Sequence, residues 1–216
     1  MSSNFYPQGL FLQKKGRTDF QLIRTAAEPI FLQHPHRPSL DELEKLMAVR
    51  EILLLGHPKL YEICEPVLPE EWPALRTIVQ DLHDTLMDFR SRYQAGRAIA
   101  APQIGVMKRL IYMHIDQPVV FINPSLDQKS EQMFEVWDDC MSFPDLFVKV
   151  KRHTRCRIRF RDPDWQEKEI LLENALSELL QHEADHLDGI LAVSRAIDER
   201  SFALRSQKEF LTKKVL

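Results

Sequence analysis

The feature that most constrains this chain is the pattern His-Glu-X-X-His at residues 182–186, which is flanked by leucines. Residues 174–187 have the composition of a buried helix that ends near residues 188–189, so the two histidines lie one turn apart on one face. Both imidazoles can then reach one cation, and Glu183 can exchange protons with a water there. The pattern therefore predicts a metal site with hydrolytic chemistry rather than two exposed histidines.

A catalytic site of this kind needs a third protein ligand and one open coordination position. The chain offers two sources for that ligand. One is a downstream carboxylate at Asp188, Asp198 or Glu199, although the longer histidine motif of many zinc peptidases is absent there. The other is Cys140, whose thiolate suits zinc or ferrous iron. Sequence spacing alone does not choose between them.

Three cysteines occur in the 216 residues, an odd number that does not indicate a disulfide framework. This count is typical of a reducing compartment. Cys64 and Cys156 are expected in the core, because Cys156 lies on the apolar side of an alternating segment.

Hydrophobic periodicity predicts a domain of mixed helices and strands. A long amphipathic helix follows Pro73 and ends near Gly96. Residues 155–160 alternate between apolar and arginine side chains, as in a half-buried strand. Pro124 is expected to end another strand. The remaining predicted strands lie at residues 52–55, 109–115, 119–123 and 168–172. One helix among several antiparallel strands indicates an α+β fold.

The chain divides into three parts. Residues 1–48 are expected to be an N-terminal extension, with a short helix that a capping box predicts near residues 39–46. Residues 49–200 form the domain that carries the histidine motif. Residues 201–216 form a C-terminal tail whose apolar side chains are compatible with a helix.

The charge of the chain excludes some partners. The formal net charge is -3 and the sequence pI is about 6.2, so no basic excess indicates nucleic-acid binding. No stretch reaches the roughly 18 apolar residues that span a bilayer, and residues 1–40 lack the apolar segment that is typical of a secretory signal. We expect a cytoplasmic protein with no membrane or nucleic-acid partner, or an organellar one if residues 1–40 act as a leader. The oligomeric state is unknown from the sequence.

Three segments together resemble the peptide deformylase family. Residues 96–105 are similar to that family's glycine-rich loop, which ends in a functional glutamine, here Gln103. Residues 138–142 are similar to its segment of Glu, Gly, Cys, Leu and Ser. Residues 181–189 closely match its metal-binding helix. The segments occur in the family's order, and supporting resemblance runs from about residue 52 to residue 197.

The resemblance implies a compact α+β domain, with antiparallel or mixed strands wrapped around a central helix that carries both histidines. It implies an enzyme that removes the formyl group from N-terminal formyl-methionine of peptides. It also implies one divalent metal ion per chain, usually Fe²⁺, with Zn²⁺, Ni²⁺ or Co²⁺ able to substitute. The ligands that it implies are Cys140, His182 and His186.

The resemblance also assigns the catalytic groups. Glu183 becomes the general acid and base, and the side chain of Gln103 and the backbone N–H of Met141 become donors to the developing oxyanion. Such a donor contributes roughly 3–4 kcal/mol to lowering the barrier.

The sequence departs from the family pattern in three places. Ala98 stands where the family has a second glycine, and the pair Asp138 and Asp139 replaces Glu and Gly. We expect Asp138 to pair with a cation such as Arg152. If the next position requires positive φ, Asp139 tolerates it better than most residues but worse than glycine.

The third departure is Glu178, four residues before His182, where the family has an apolar residue against the methionine side chain. We expect Glu178, Ala98 and Ile99 to contact the substrate. Two interpretations of Glu178 remain open. It selects a polar or basic side chain in place of methionine, or it turns to solvent or to an arginine.

Three further functions remain open. One is a deformylase or amidase that acts on a different N-acylated substrate with a polar or basic side chain. Another is a non-catalytic metal-binding relative, although such a protein has no reason to keep Glu183. The weakest is a zinc peptidase, which lacks its usual third ligand here.

Overall fold

The computed structural model describes residues 49–211, so the short helix predicted near residues 39–46 lies outside the described residues. The helices within that range are α1 (Trp72–Tyr93), α2 (Asn174–Leu187) and α3 (Lys208–Leu211). The strands are β1 (Ala98–Ala100), β2 (Leu110–His114), β3 (Pro118–Asp127), β4 (Met133–Asp139), β5 (Leu146–His153), β6 (Arg155–Arg161), β7 (Glu167–Glu173) and β8 (Phe202–Leu204). No helix in this range has the length and apolar character to cross a membrane.

The strands form two sheets. The first has the order β1-β2-β3-β6-β7 and the second the order β4-β5-β8, and each neighbouring pair is antiparallel. The predicted α+β class is confirmed. β1 and β4 each lie at the edge of their sheet, which leaves one side of each strand without a strand partner among the described residues.

Helix α2 lies in the interior, and every residue from Ser177 to Leu187 is buried. It contacts strands of both sheets, including β1 and β5. Side chains of β1 alternate between two cores: Ala98 and Ala100 pack in the cluster that contains residues of α2, whereas Ile99 packs with α1. β1 therefore separates the two helices and lies beside the helix that carries the histidines.

The predicted strand at residues 52–55 is not a strand. In this segment Leu53 N–H donates to Gln103 O (2.8 Å) and Leu55 N–H donates to Ser142 O (2.8 Å). Its backbone therefore bonds to a short 3-10 helix and to a turn instead of one neighbouring strand. An apolar run does not specify which backbone groups it meets.

Pro124 does not end its strand, contrary to the prediction. β3 continues to Asp127, and the register with β6 shifts between Ile122 and Ser125. Asn123 has a φ of 51°, and its side chain bonds to both backbone polar groups of Val67 (2.8 Å each). The proline lies at this irregularity, where a strand tolerates the loss of a ladder N–H.

The segment after residue 200, which was predicted to be a tail, joins the fold at its start. β8 pairs with the beginning of β5, with Leu146 opposite Leu204. A single helical turn, α3, follows.

Candidate active site

The three candidate metal ligands come from two elements. Cys140 directly follows β4, while His182 and His186 lie one turn apart on α2. Cys140 Sγ is 3.2 Å from His186 Nε2, which is 3.2 Å from His182 Nε2. The structure thus brings Cys140, rather than a downstream carboxylate, to the histidines, and all three ligand atoms lie within 4.8 Å of one another.

The donor set fits a divalent metal ion. Metal–ligand bonds of about 2.0–2.3 Å at tetrahedral angles imply ligand separations of about 3.3–3.6 Å, close to those observed. All three residues are buried, so the ligand atoms face one another rather than solvent. A mixed thiolate and imidazole set suits zinc or ferrous iron.

Asp138 orients the first histidine. Its carboxylate accepts from His182 Nδ1 (2.9 Å to Oδ1), which turns Nε2 toward Cys140. The same carboxylate pairs with Arg152 (2.9 Å), as the sequence predicts. Burial opposes ionisation of Asp138, but His182 and Arg152 outweigh it and lower its pKa to about 2. The carboxylate is therefore ionised and holds the ring in place.

A second carboxylate extends this arrangement. Asp185 Oδ2 lies 2.5 Å from Arg152 Nη1, and both Asp185 oxygens accept from Arg195 (2.6 Å each). Asp138, Arg152, Asp185 and Arg195 thus form a chain of alternating charges behind His182, which we call the charge ladder. Its first three side chains are largely buried.

Glu183 lies between the two histidines in sequence and is 3% exposed. Burial raises its pKa to about 7, although His182 lowers it. Its Oε2 is buried and has no hydrogen-bond partner among the described residues. Such an atom is available to a water or substrate group. A carboxyl with a pKa near neutrality both accepts and returns protons.

Gln103 reaches the site from the short 3-10 helix Ala101–Ile104. Its Oε1 accepts from the Ala100 N–H (2.9 Å), which fixes the orientation of the amide. Its Nε2 is directed at Ser142 Oγ (3.3 Å) and Cys140 Sγ (3.5 Å). The amide therefore presents a donor beside the candidate metal ligands.

Met141 follows Cys140 in the turn after β4, and its side chain packs in the core beside α1. Its backbone N–H is thereby placed next to the candidate ligand. The next residue, Ser142, donates its N–H to Cys140 Sγ (3.4 Å).

Glu178 is buried and pairs with Arg97 across 2.8 Å. Of the two interpretations of Glu178, the structure shows the arginine partner. The Glu178 carboxylate is buried, whereas the Arg97 side chain is 20% exposed. The side chains of Ala98 and Ile99 are in the core. Their predicted contact with substrate would therefore be made by the backbone.

Asp139 does not adopt a positive φ, so its replacement of glycine causes no backbone strain of that kind. Its carboxylate pairs with Arg205 Nη2 (3.1 Å). Arg205 also donates to Pro144 O, and its guanidinium lies 4.7 Å from the Phe147 ring centroid. The start of the C-terminal segment is thus fixed to the loop that carries Cys140.

The remaining cysteines lie in the core as expected. Cys64 and Cys156 are both free and buried. Burial raises the pKa of both thiols, that of Cys64 to about 11. These are properties of unreactive core thiols.

Several residues of the site were not predicted from the sequence. Asp185 lies inside the histidine motif, so its position alone could have indicated a role beside the ligands. Arg97 and Ser142 lie within residues 96–105 and 138–142, the segments that carry the resemblance, but no role was predicted for either of them. Arg195 comes from a segment that no local pattern marks.

Comparisons with known proteins agree with this geometry. The family model described as polypeptide deformylase matches residues 49–202. A peptide deformylase of Hyphomonas neptunium is 34% identical over 167 residues, which cover 71% of this chain and 92% of that protein.

Solved structures give the same result. The peptide deformylase of Thermotoga maritima has a TM-score of 0.65 and 27% identity, covering 70% of this chain and 99% of that one. The class I type b peptide deformylase of Acinetobacter baumannii with Met-Ala-Ser bound has a TM-score of 0.63 and 26% identity, covering 69% and 99%. Fold, site and sequence agree, and this chain belongs to the polypeptide deformylase family.

Proposed function

We propose that this chain is a metal-dependent hydrolase that removes the formyl group from N-terminal formyl-methionine of peptides. One observation carries the proposal: the ligand atoms of Cys140, His182 and His186 meet beside a buried carboxylate oxygen that has no partner among the described residues. That oxygen belongs to Glu183. A metal site, a base and a donor amide from Gln103 are the groups that amide hydrolysis requires.

The metal is proposed to be one Fe²⁺ held by the cysteine and the two histidines. When bound, such an ion polarises the formyl carbonyl and lowers the pKa of water. Zn²⁺, Ni²⁺ and Co²⁺ suit the same donors. The identity of the metal is tested by reconstituting the metal-free protein with each ion and measuring deformylase activity under nitrogen and in air. The Fe²⁺ protein should be active under nitrogen and lose its activity in air.

Glu183 moves the proton. Water adds to the formyl carbon while Glu183 takes one of its protons. Glu183 then gives that proton to the amide nitrogen, and the C–N bond breaks to leave formate and a free amine. A pKa of about 7 suits a group that must do both.

Gln103 and Met141 stabilise negative charge on the formyl oxygen. Gln103 Nε2 now bonds weakly to Ser142 Oγ, at 3.3 Å, and a substrate oxygen can replace that partner. The N–H of Met141 is the second donor. Removing one such donor costs about 10²–10³-fold in kcat.

A peptide can lie along the edge of β1. The N–H of Ala100 points away from β2, because it bonds to the side chain of Gln103. Alternate residues of a strand point their backbone groups to the same side, so Ala98 also faces this edge. The edge of β4 leads directly to Cys140. An extended peptide between these edges would place its N-terminal formyl group at the metal ligands.

The test is deformylation of formyl-Met-Ala-Ser by anaerobically purified, iron-loaded protein. Glu183→Gln is the matched variant, because it keeps the size of the side chain and removes its proton transfer. We expect turnover by the native protein, a loss of about 10²–10⁴-fold in kcat in the variant, and one metal per chain in both. Absence of turnover by the metal-loaded native protein would contradict the proposal.

A further inference from the structure

The charged pair formed by Arg97 and Glu178 is unusual in its placement. Glu178 lies one helical turn before His182, on the same face of α2, and only 7% of it is exposed. Arg97 Nη2 bonds to Glu178 Oε2 at 2.8 Å, and Arg97 Nη1 bonds to Ala175 O at 3.3 Å. Arg97 directly precedes β1, so its two bonds connect the start of β1 to α2.

The pair lies close to the candidate metal ligands. Glu178 and His182 are four residues apart on α2, so they share one face of the helix and are separated by a single turn. Arg97 directly precedes Ala98, whose backbone faces the edge where the peptide is proposed to lie. The first side chain of that peptide, next to the formyl group, would therefore reach the turn of α2 that carries Glu178.

The chemistry of the pair restricts what packs well against it. An apolar side chain would remove water from the two charged groups and return no hydrogen bond, which is unfavourable. A basic side chain would find no unpaired carboxylate there, because Glu178 already pairs with Arg97. A neutral polar side chain can bond to the guanidinium without adding charge.

We propose that the Arg97–Glu178 pair lines the pocket for the first side chain of the substrate and makes the enzyme prefer a neutral polar side chain of methionine's length. Glutamine and methionine sulfoxide have this chemistry. The inference rests on the proposed deformylase function and changes the preferred side chain, not the bond that is cleaved.

The first experiment compares kcat/KM for formyl-X-Ala-Ser peptides, with X as methionine sulfoxide, glutamine, norleucine or lysine. Norleucine is the apolar match for methionine in length. We expect methionine sulfoxide and glutamine to exceed both norleucine and lysine by about tenfold, the effect of one added hydrogen bond to a charged group. A preference for norleucine over both polar residues would overturn the proposal.

The second experiment removes the pair with Arg97→Leu/Glu178→Leu, which replaces both charges by apolar side chains. The ratio of kcat/KM for glutamine over norleucine should fall about tenfold or reverse. The matched control is Arg161→Leu/Glu167→Leu, which removes an exposed pair on the β6–β7 hairpin (3.5 Å) and should leave the ratio unchanged. An unchanged ratio in the Arg97/Glu178 variant would refute the role of the pair.

Binding of the product tripeptides separates this inference from the catalytic proposal. Calorimetry with X-Ala-Ser peptides measures pocket preference without turnover. Tighter binding of Gln-Ala-Ser than of norleucine-Ala-Ser, with no deformylation, would uphold the pocket and reject the reaction. Turnover with equal or weaker binding of the glutamine peptide would uphold the reaction and reject the pocket. Binding of neither peptide would reject the pocket.

Discussion

Two consecutive turns of helix α2 each bury a carboxylate that pairs with an arginine. The two ion pairs differ in whether they connect to a candidate metal ligand. In the turn that contains the histidines, Asp185 pairs with Arg152, which also pairs with Asp138. Asp138 in turn bonds to His182. In the preceding turn, Glu178 pairs with Arg97, and the contacts found for it do not include a ligand atom.

The difference shows that burial of a charge does not by itself define its role. The charge ladder ends on His182, a candidate metal ligand, so its geometry bears directly on the site. The Arg97–Glu178 pair ends beside β1, where the peptide is proposed to lie. We therefore expect the ladder to control stability and metal affinity, and the pair to control which substrate binds.

The largest effect is expected for Arg152→Met. The substitution keeps the length of the side chain but leaves Asp138 and Asp185 buried without this partner. Breaking a buried pair in this way costs about 3–5 kcal/mol of unfolding free energy. Urea denaturation measures it, with the half-exposed Lys149→Met as control. A loss equal to that of the control would show that the ladder does not support the fold.

Asp138→Asn is expected to have the next largest effect. Asparagine still accepts from His182 but no longer supplies a negative charge to orient and polarise the ring. Loss of such a partner lowers metal affinity about 10–100-fold. Competition with a chelating dye measures the affinity, and Asp164→Asn in the exposed β6–β7 turn is the control. Equal affinities in the two variants would remove the ladder's proposed role.

Arg205→Ala tests a third charge contact, that with Asp139. The change removes hydrogen bonds to Asp139 and Pro144 near Cys140, and we expect a loss of about 1 kcal/mol in unfolding free energy. Urea midpoints of this variant and of Arg200→Ala provide the comparison. No difference between them would mean that the C-terminal segment does not stabilise the Cys140 loop.

The smallest effect on metal binding is expected for Glu178→Gln. Because Glu178 does not bond to a ligand atom, metal affinity should stay within about twofold of the native value. The same chelator competition that is used for Asp138→Asn measures it. A tenfold loss would show that the two turns act as one unit and would end the distinction between them.

The sequence predicted helices and strands correctly where the local hydrophobic pattern matches the face that is buried in the fold. The alternation at residues 155–160 gave β6 because one face of that strand is buried, as Cys156 and Ile158 show. No strand was predicted for β4 or β5, which pair with each other. The strand predicted at residues 52–55 was wrong, because this apolar run bonds to a short 3-10 helix and to a turn.

The sequence by itself determined helix α2 and the placement of both histidines on one face, because helical spacing is a local property. The family resemblance indicated Cys140 as the third metal ligand. Arg152 was predicted as the partner of Asp138. Only the tertiary structure decided that Cys140 Sγ comes within 3.2 Å of His186, across 46 positions of chain. It also decided that Glu178 meets Arg97, 81 positions away, since sequence spacing does not encode contacts between distant segments.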